Sequence, residues 1–182
     1  MNKIEKFETV QATTGEYARP KADGYIVKII NVTDMPLDVQ TSKGDYLKID
    51  YDICDGEFAN YYTEQQKRLG GKWFANFIRS YKEKALGMFK HFINCVEESN
   101  NGFVWTWDED ALIGKKVGVV LGEEEYLKND GSVGTKLVVK NIKTVKQIAD
   151  GDFIVPVKKT IEVEKTPLPE GFEEIIGDIV PF

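Results

Sequence analysis

The chain has 182 residues, 42% of them hydrophobic and 30% charged, with a formal net charge of -6. That is enough apolar material to bury one sizeable core, and no uninterrupted apolar run reaches the length of a membrane-spanning helix, so neither a disordered chain nor a helical membrane protein is expected. Cys54 and Cys95 lie far apart inside apolar patterns, which suits buried reduced thiols and a cytoplasmic protein better than a disulfide framework.

Residues 1–20 are polar with a few apolar anchors and read as an N-terminal arm. Residues 24–32 are rich in β-branched side chains and stop at Thr33-Asp34-Met35-Pro36, a strand followed by a loop. In residues 46–53 the alternation predicts Leu47, Ile49, Tyr51 and Ile53 facing inward, with Tyr46, Lys48, Asp50 and Asp52 facing outward. Asp55-Gly56 signals a hairpin turn, with residues 57–62 as the returning third strand. A helix follows. Ser80 and Glu83 stand at capping-box spacing, and Ala85, Phe89, Phe92, Ile93 and Val96 are spaced along one face that ends near Ser99-Asn100. Residues 115–127 and 134–142 read as a second hairpin turning at Asn129-Asp130-Gly131-Ser132.

Three strands, a helix and two strands is the order of a mainly β, five-stranded OB-fold barrel with a helix between strands 3 and 4. The barrel domain is expected over residues 21–157, and residues 158–182 are expected to form a linker and a flexible acidic tail.

The net charge changes meaning once it is divided by position. Residues 161–182 hold six acids against Lys165, a net of -5, leaving 23 bases and 24 acids in the rest. Within that near-neutral body, Lys67, Arg68, Lys72, Arg79, Lys82, Lys84 and Lys90 face only Glu83 across the same interval. No acid lies between Ser132 and Ala149, where Lys136, Lys140, Lys143 and Lys146 cluster. Local field, not total charge, steers a polyanion to a surface.

Single-stranded nucleic acid needs rings for unpaired bases and cations for phosphates. The run from Lys67 to Lys82 interleaves Lys67, Arg68, Lys72, Arg79 and Lys82 with Trp73, Phe74, Phe77 and Tyr81. Tyr46 and Lys48 share the outer face of the second strand, Tyr61 or Tyr62 must point outward on the third, Lys28 lies on the first, and Lys136 and Lys140 share a face of the fifth. The candidate nucleic-acid contacts are therefore Lys28, Tyr46, Lys48, Tyr61, Tyr62, Lys67, Arg68, Lys72, Trp73, Phe77, Arg79, Tyr81, Lys82, Lys136 and Lys140.

Catalysis finds little support, and neither a cofactor nor a resident metal is expected. His91 stands alone in the helix, and the two cysteines lack Cys-x-x-Cys spacing. The alternative is a metal-dependent nuclease using Asp50, Asp52 and Glu123-Glu124-Glu125. The chain ends in Asp178-Ile179-Val180-Pro181-Phe182. A terminal Phe joins a ring to an α-carboxylate, so a partner with an apolar pocket rimmed by Arg or Lys can grip both.

That ending resembles the acidic tail of bacterial single-stranded DNA-binding proteins, which finishes in Asp-Ile-Pro-Phe; here Val180 stands between Ile179 and Pro181. The body from Lys21 to Ile148 also resembles a family of phage-encoded OB-fold single-stranded DNA-binding proteins of the replication and recombination module. The resemblance lies in Tyr46-Leu47-Lys48, Asp55-Gly56, Leu112-Ile113-Gly114-Lys115-Lys116-Val117-Gly118-Val119-Val120 and Asp130-Gly131-Ser132. It implies single-stranded DNA binding inside the bacterial host cell, with the tail recruiting replication, recombination or repair proteins. Homo-oligomerisation is left open.

Overall fold

Period-two patterning decides β2 (Tyr46–Ile53), as expected: its Leu47, Ile49, Tyr51 and Ile53 are all buried in the core. The computed structural model describes residues 5, 7–9, 18–38 and 44–161. β1 (Gly24–Met35) is long enough to serve two partners, pairing with β2 from Val27 to Met35 and with β4 (Lys116–Leu127) from Gly24 to Lys28. With β3 (Asn76–Ser80) and β5 (Val133–Lys143), they form one antiparallel sheet in the order β3-β2-β1-β4-β5. Its edge strands, β3 and β5, approach each other without pairing.

Among the described residues three α-helices accompany the sheet. α1 (Tyr61–Leu69) precedes β3, α2 (Leu86–Ser99) lies between β3 and β4, and α3 (Val145–Ala149) follows β5. The apolar stripe of α2 places Phe89, Phe92, Ile93, Cys95 and Val96 in the core. The helix packs on β3, β4 and β5 and so fills the inside of the curled sheet. Its predicted capping box is not formed. Ser80 ends β3 and donates its hydroxyl to Asp45 O at 2.9 Å, and a 3₁₀ turn, Glu83–Ala85, leads into the helix. α3 is the segment with a capping box, closed reciprocally by Thr144 and Gln147.

The predicted third strand over residues 57–62 is corrected to a turn and the start of α1. A left-handed Asn60 (φ 62°) redirects the chain, and its own side chain caps nothing. Asp52 does the capping from β2: Oδ1 accepts from Tyr62 N at 3.0 Å, and Oδ2 accepts from Thr63 N at 3.0 Å and Thr63 Oγ1 at 2.5 Å. A carboxylate held against exposed helical N–H groups satisfies those donors and opposes the positive end of the helix dipole. β3 is supplied instead by Asn76–Ser80, inside the stretch expected to link strand and helix.

The outer face of the sheet is covered over its β1–β4 half. A Cβ on Gly118 would come within 2.5 Å of Ile148 of α3, and one on Gly24 within 2.5 Å of Phe153, so the β1–β4 half is packed against the C-terminal segment. Residues 159–161 continue along the free edge of β4, where Lys159 exchanges backbone hydrogen bonds with Glu123 and Glu125. The chain is thus pinned to the sheet past residue 157. Among the described residues no helix is long and apolar enough to cross a membrane. The tail residues Asp178, Ile179, Val180, Pro181 and Phe182 lie outside the described residues.

Candidate nucleic-acid interface

Because β3 and β5 do not pair, the sheet leaves a seam, and the seam is a cleft of about 590 Å³. Tyr61, Tyr62 and Gln65 of α1, Phe74 and Asn76 on the β3 side, and Lys136 to Val138 of β5 line it, with Arg19 from the N-terminal segment. The rings interlock edge to face: Tyr62 lies 5.2 Å from Tyr61, 5.7 Å from Tyr51 and 6.0 Å from Phe74. Phe74 is the ring this cluster presents to solvent, at 60% exposure, whereas Tyr62 is only 8% exposed. Burial, above all, pushes the Tyr62 phenol up to about 12 and raises that of Tyr51 as well, so both are neutral at any physiological pH. Gln65 adds an amide whose Oε1 is buried without a hydrogen-bond partner among the described residues, an acceptor for an N–H brought in by a ligand.

Cations and acids meet on the β5 side. Lys136 and Lys140 share the outer face of β5, as expected, and converge on one carboxylate: Glu124 lies 2.5 Å from Lys140 Nζ and 3.8 Å from Lys136 Nζ. The hydrogen bond from Lys140 holds Glu124 below the usual glutamate range. Two ammonium groups share one carboxylate, and Lys136, on the longer contact, also lines the cleft. Glu123 lines it too, opposite Leu137.

The other expected contacts are dispersed. Tyr46 and Lys48 lie on the uncovered outer face of β2, beside the exposed Ile78 of β3. Lys48 Nζ sits 2.9 Å from Asp50 Oδ1 as a charge pair, and among the described residues that oxygen receives no hydrogen bond. Lys72 is exposed in the α1–β3 loop, where Gly70 (φ 67°) and Gly71 (φ 90°) adopt a backbone few other residues tolerate. Trp73 is half-buried, its indole donating to Ala75 O at 3.0 Å. Lys67 pairs with Glu64 at 2.8 Å on α1, and Arg68 lines a smaller hollow beside Tyr61. Lys28 projects from the outer face of β1 opposite Lys116, away from the seam.

Three members of the basic aromatic run turn elsewhere, because β3 alternates sides where the sequence was read as a loop. Phe77 is a core residue, 7% exposed, edge-on to Phe92 at 5.7 Å. Arg79 is on the same inner side, half-buried, with its guanidinium 4.9 Å from the Phe77 ring and hydrogen-bonded to Ile78 O. Tyr81 donates its hydroxyl to Asp34 at 2.8 Å and packs on Phe89. Lys82 follows it, exposed.

The acids singled out for metal chemistry are engaged in the structure. Asp50 and Asp52, expected outward and solvated, are 7% and 3% exposed, because α1 and the Asn31 and Lys48 side chains cover them. Glu124 is held by Lys140 and Glu125 by Lys158 at 2.8 Å. Among the described residues no group of three or more His, Cys, Asp or Glu side chains is arranged to hold a metal ion. Cys54 and Cys95 are free thiols, and His91 lies on the α2 surface with Nε2 3.1 Å from Ile142 O.

The signals missed in the sequence belong to α1. Glu64 in its first turn, Lys67 and Arg68 in its last and Gly70 just after it form the charge and glycine pattern of a short helix. No family model matches the chain, and no curated protein resembles it significantly in sequence.

Proposed function

We propose that this protein binds single-stranded nucleic acid without enzymatic action, seating unpaired bases at the seam between β3 and β5. The observation that carries the reading is the cleft itself: an exposed ring, Phe74, backed by Tyr61 and Tyr62, faces Lys136 and Arg19 across one opening. A base stacked on such a ring gains roughly 1–3 kcal/mol, and flanking cations follow the phosphates. The order β3-β2-β1-β4-β5, with α2 between β3 and β4, supports reading the open sheet as an OB barrel parted at the β3–β5 seam. Tyr46, Lys48 and Ile78 on the outer face of β2 and β3 offer a separate, secondary contact, while α3 blocks the β1–β4 side. The biological setting, phage DNA replication or recombination in a bacterial host with residues 178–182 recruiting partner proteins, is part of this proposal and rests on the sequence resemblance.

The test is a fluorescence-anisotropy titration of labelled oligo-dT at about 50 and 200 mM salt. Affinity should fall steeply, since log K declines by about 0.7 per neutralised phosphate for each tenfold rise in salt on single strands. Binding indifferent to salt, or none, sinks the proposal. Deleting residues 178–182 should leave this binding intact and abolish capture of a replication or recombination protein by the full chain.

A further inference from the structure

A second cleft, of about 280 Å³, lies at the opposite end of β2 from the seam; Leu47 reaches it, four residues along the strand from Tyr51. Its walls are rings. Trp105 and Trp107 lie in contact with centroids 4.7 Å apart and planes tilted by 40°, Phe89 meets Trp105 edge-on at 5.5 Å, and Tyr81 meets Phe89 edge-on at 6.1 Å. The rim is acidic: Asp34 and Glu109 line the opening. The Tyr81 hydroxyl is pushed up to about 12, first by desolvation and then by Asp34, Asp45 and Glu109, so the charges bearing most on it are all carboxylates.

The site is rigidly built. Trp105 is fixed from two sides, its backbone N–H donating to Glu97 Oε1 at 2.9 Å and its indole N–H to Asp108 O at 3.1 Å. Trp107 is 80% exposed and has φ 66°, a conformation a bulky side chain rarely adopts. The fold thus holds a large indole on the surface, tilted against a fixed partner ring and flanked by carboxylates. Such a place repels phosphates and attracts cations, since aromatic faces and carboxylates both favour positive charge.

We propose that this cage binds an arginine side chain carried on an apolar segment of a partner protein, its guanidinium lying flat on Trp107 and pairing with Glu109 or Asp34, with its apolar neighbours on Leu86. Charge complementarity selects this occupant: an acidic rim is wrong for a nucleic acid and for the chain's own acidic C-terminal residues. Leu86, which lines the cleft, is 46% exposed and supplies the apolar shoulder. The assignment stands apart from the nucleic-acid proposal, because the two clefts share no lining residue.

The test uses the full chain labelled with ¹⁵N, whose three tryptophans, Trp73, Trp105 and Trp107, give three indole N–H signals. The probe is the capped peptide Ala-Leu-Arg-Leu-Ala, with a second peptide carrying neutral citrulline in place of arginine. The arginine peptide should shift the Trp105 and Trp107 signals and leave Trp73 still, and the citrulline peptide should bind about tenfold more weakly. Trp107→Ala and, independently, Glu109→Gln should each weaken the arginine peptide severalfold. Equal binding of the two peptides, or still Trp105 and Trp107 signals, overturns the proposal. So does displacement of those two signals by oligo-dT, which makes the cage a nucleic-acid surface. Movement of the Trp107 signal in peptide-free protein on removing residues 162–182 also overturns it, because the occupant is then the chain itself.

Discussion

Asp52 is where the fold and the candidate site depend on one side chain, and its removal should be felt in both. Its carboxylate accepts from Ile53 N at 2.9 Å as well as from Tyr62 N, Thr63 N and Thr63 Oγ1, and it is 3% exposed. Thr63→Val removes only the hydroxyl donor and should cost about 1 kcal/mol. Asp52→Asn keeps the shape but loses the charge and turns an amide NH₂ toward at least one donor, for a cost of about 2 kcal/mol. Asp52→Ala leaves buried N–H groups unpaired and should cost about 3 kcal/mol or more. The loss falls first on α1, a nine-residue helix too short to be stable on its own. Limited trypsin digestion reads this directly, since Lys67 and Arg68 lie in the last turn of α1. If α1 opens and recloses quickly relative to cleavage, 2 kcal/mol corresponds to about 30-fold faster cutting there. Oligo-dT affinity should fall in the same order across the three variants, because α1 carries Tyr61 and Tyr62 into the cleft. Cleavage of Asp52→Asn at the wild-type rate with an unchanged melting temperature would refute the capping role.

Other outcomes follow from the same geometry. Phe74→Ala, at an exposed ring, should barely change thermal stability but weaken oligo-dT binding by roughly 1–3 kcal/mol; Phe77→Ala should instead cost about 3–5 kcal/mol of stability in chemical denaturation. Reversed effects for the two rings would mean the inner and outer sides of β3 are misassigned. Glu124→Gln frees Lys136 and Lys140 and should tighten oligo-dT binding and steepen its salt dependence by about one phosphate. Lys140 lowers the Glu124 pKa, so the stability this carboxylate contributes is complete above the unfolded glutamate value of about 4.3 and is lost as pH falls through its lower folded value. The melting-temperature gap between wild type and Glu124→Gln should therefore close at acid pH; a gap that widens on acidification contradicts the pairing. Gly118→Ala places a Cβ 2.5 Å from Ile148 and 2.7 Å from Thr144 O, and should destabilise the fold by about 1–3 kcal/mol in a denaturant titration.

Features that depend on neighbours along the chain could be read from residue order alone. The period-two run of β2, the apolar stripe of α2 from Phe89 to Val96 and the 116–143 hairpin were all legible, because each is set by local periodicity and turn chemistry. The pairing of Lys136 and Lys140 on one face of β5 followed from the same alternation. What tertiary structure decided is everything that requires a distant partner. Residues 57–62 have strand-like composition, yet they turn into α1 because a carboxylate ten residues away, on β2, satisfies the helix's first N–H groups. Once β3 forms from Asn76–Ser80, its alternation sends Phe77 and Arg79 inward and leaves Ile78 outside, dividing a stretch that as a loop would have offered all its rings and cations to one ligand. The aromatic cage likewise joins Asp34, Tyr81 and Trp107 from three separate parts of the chain. Helix caps, sheet edges and clefts are completed by long-range hydrogen bonds and packing, which no local window of residue types contains.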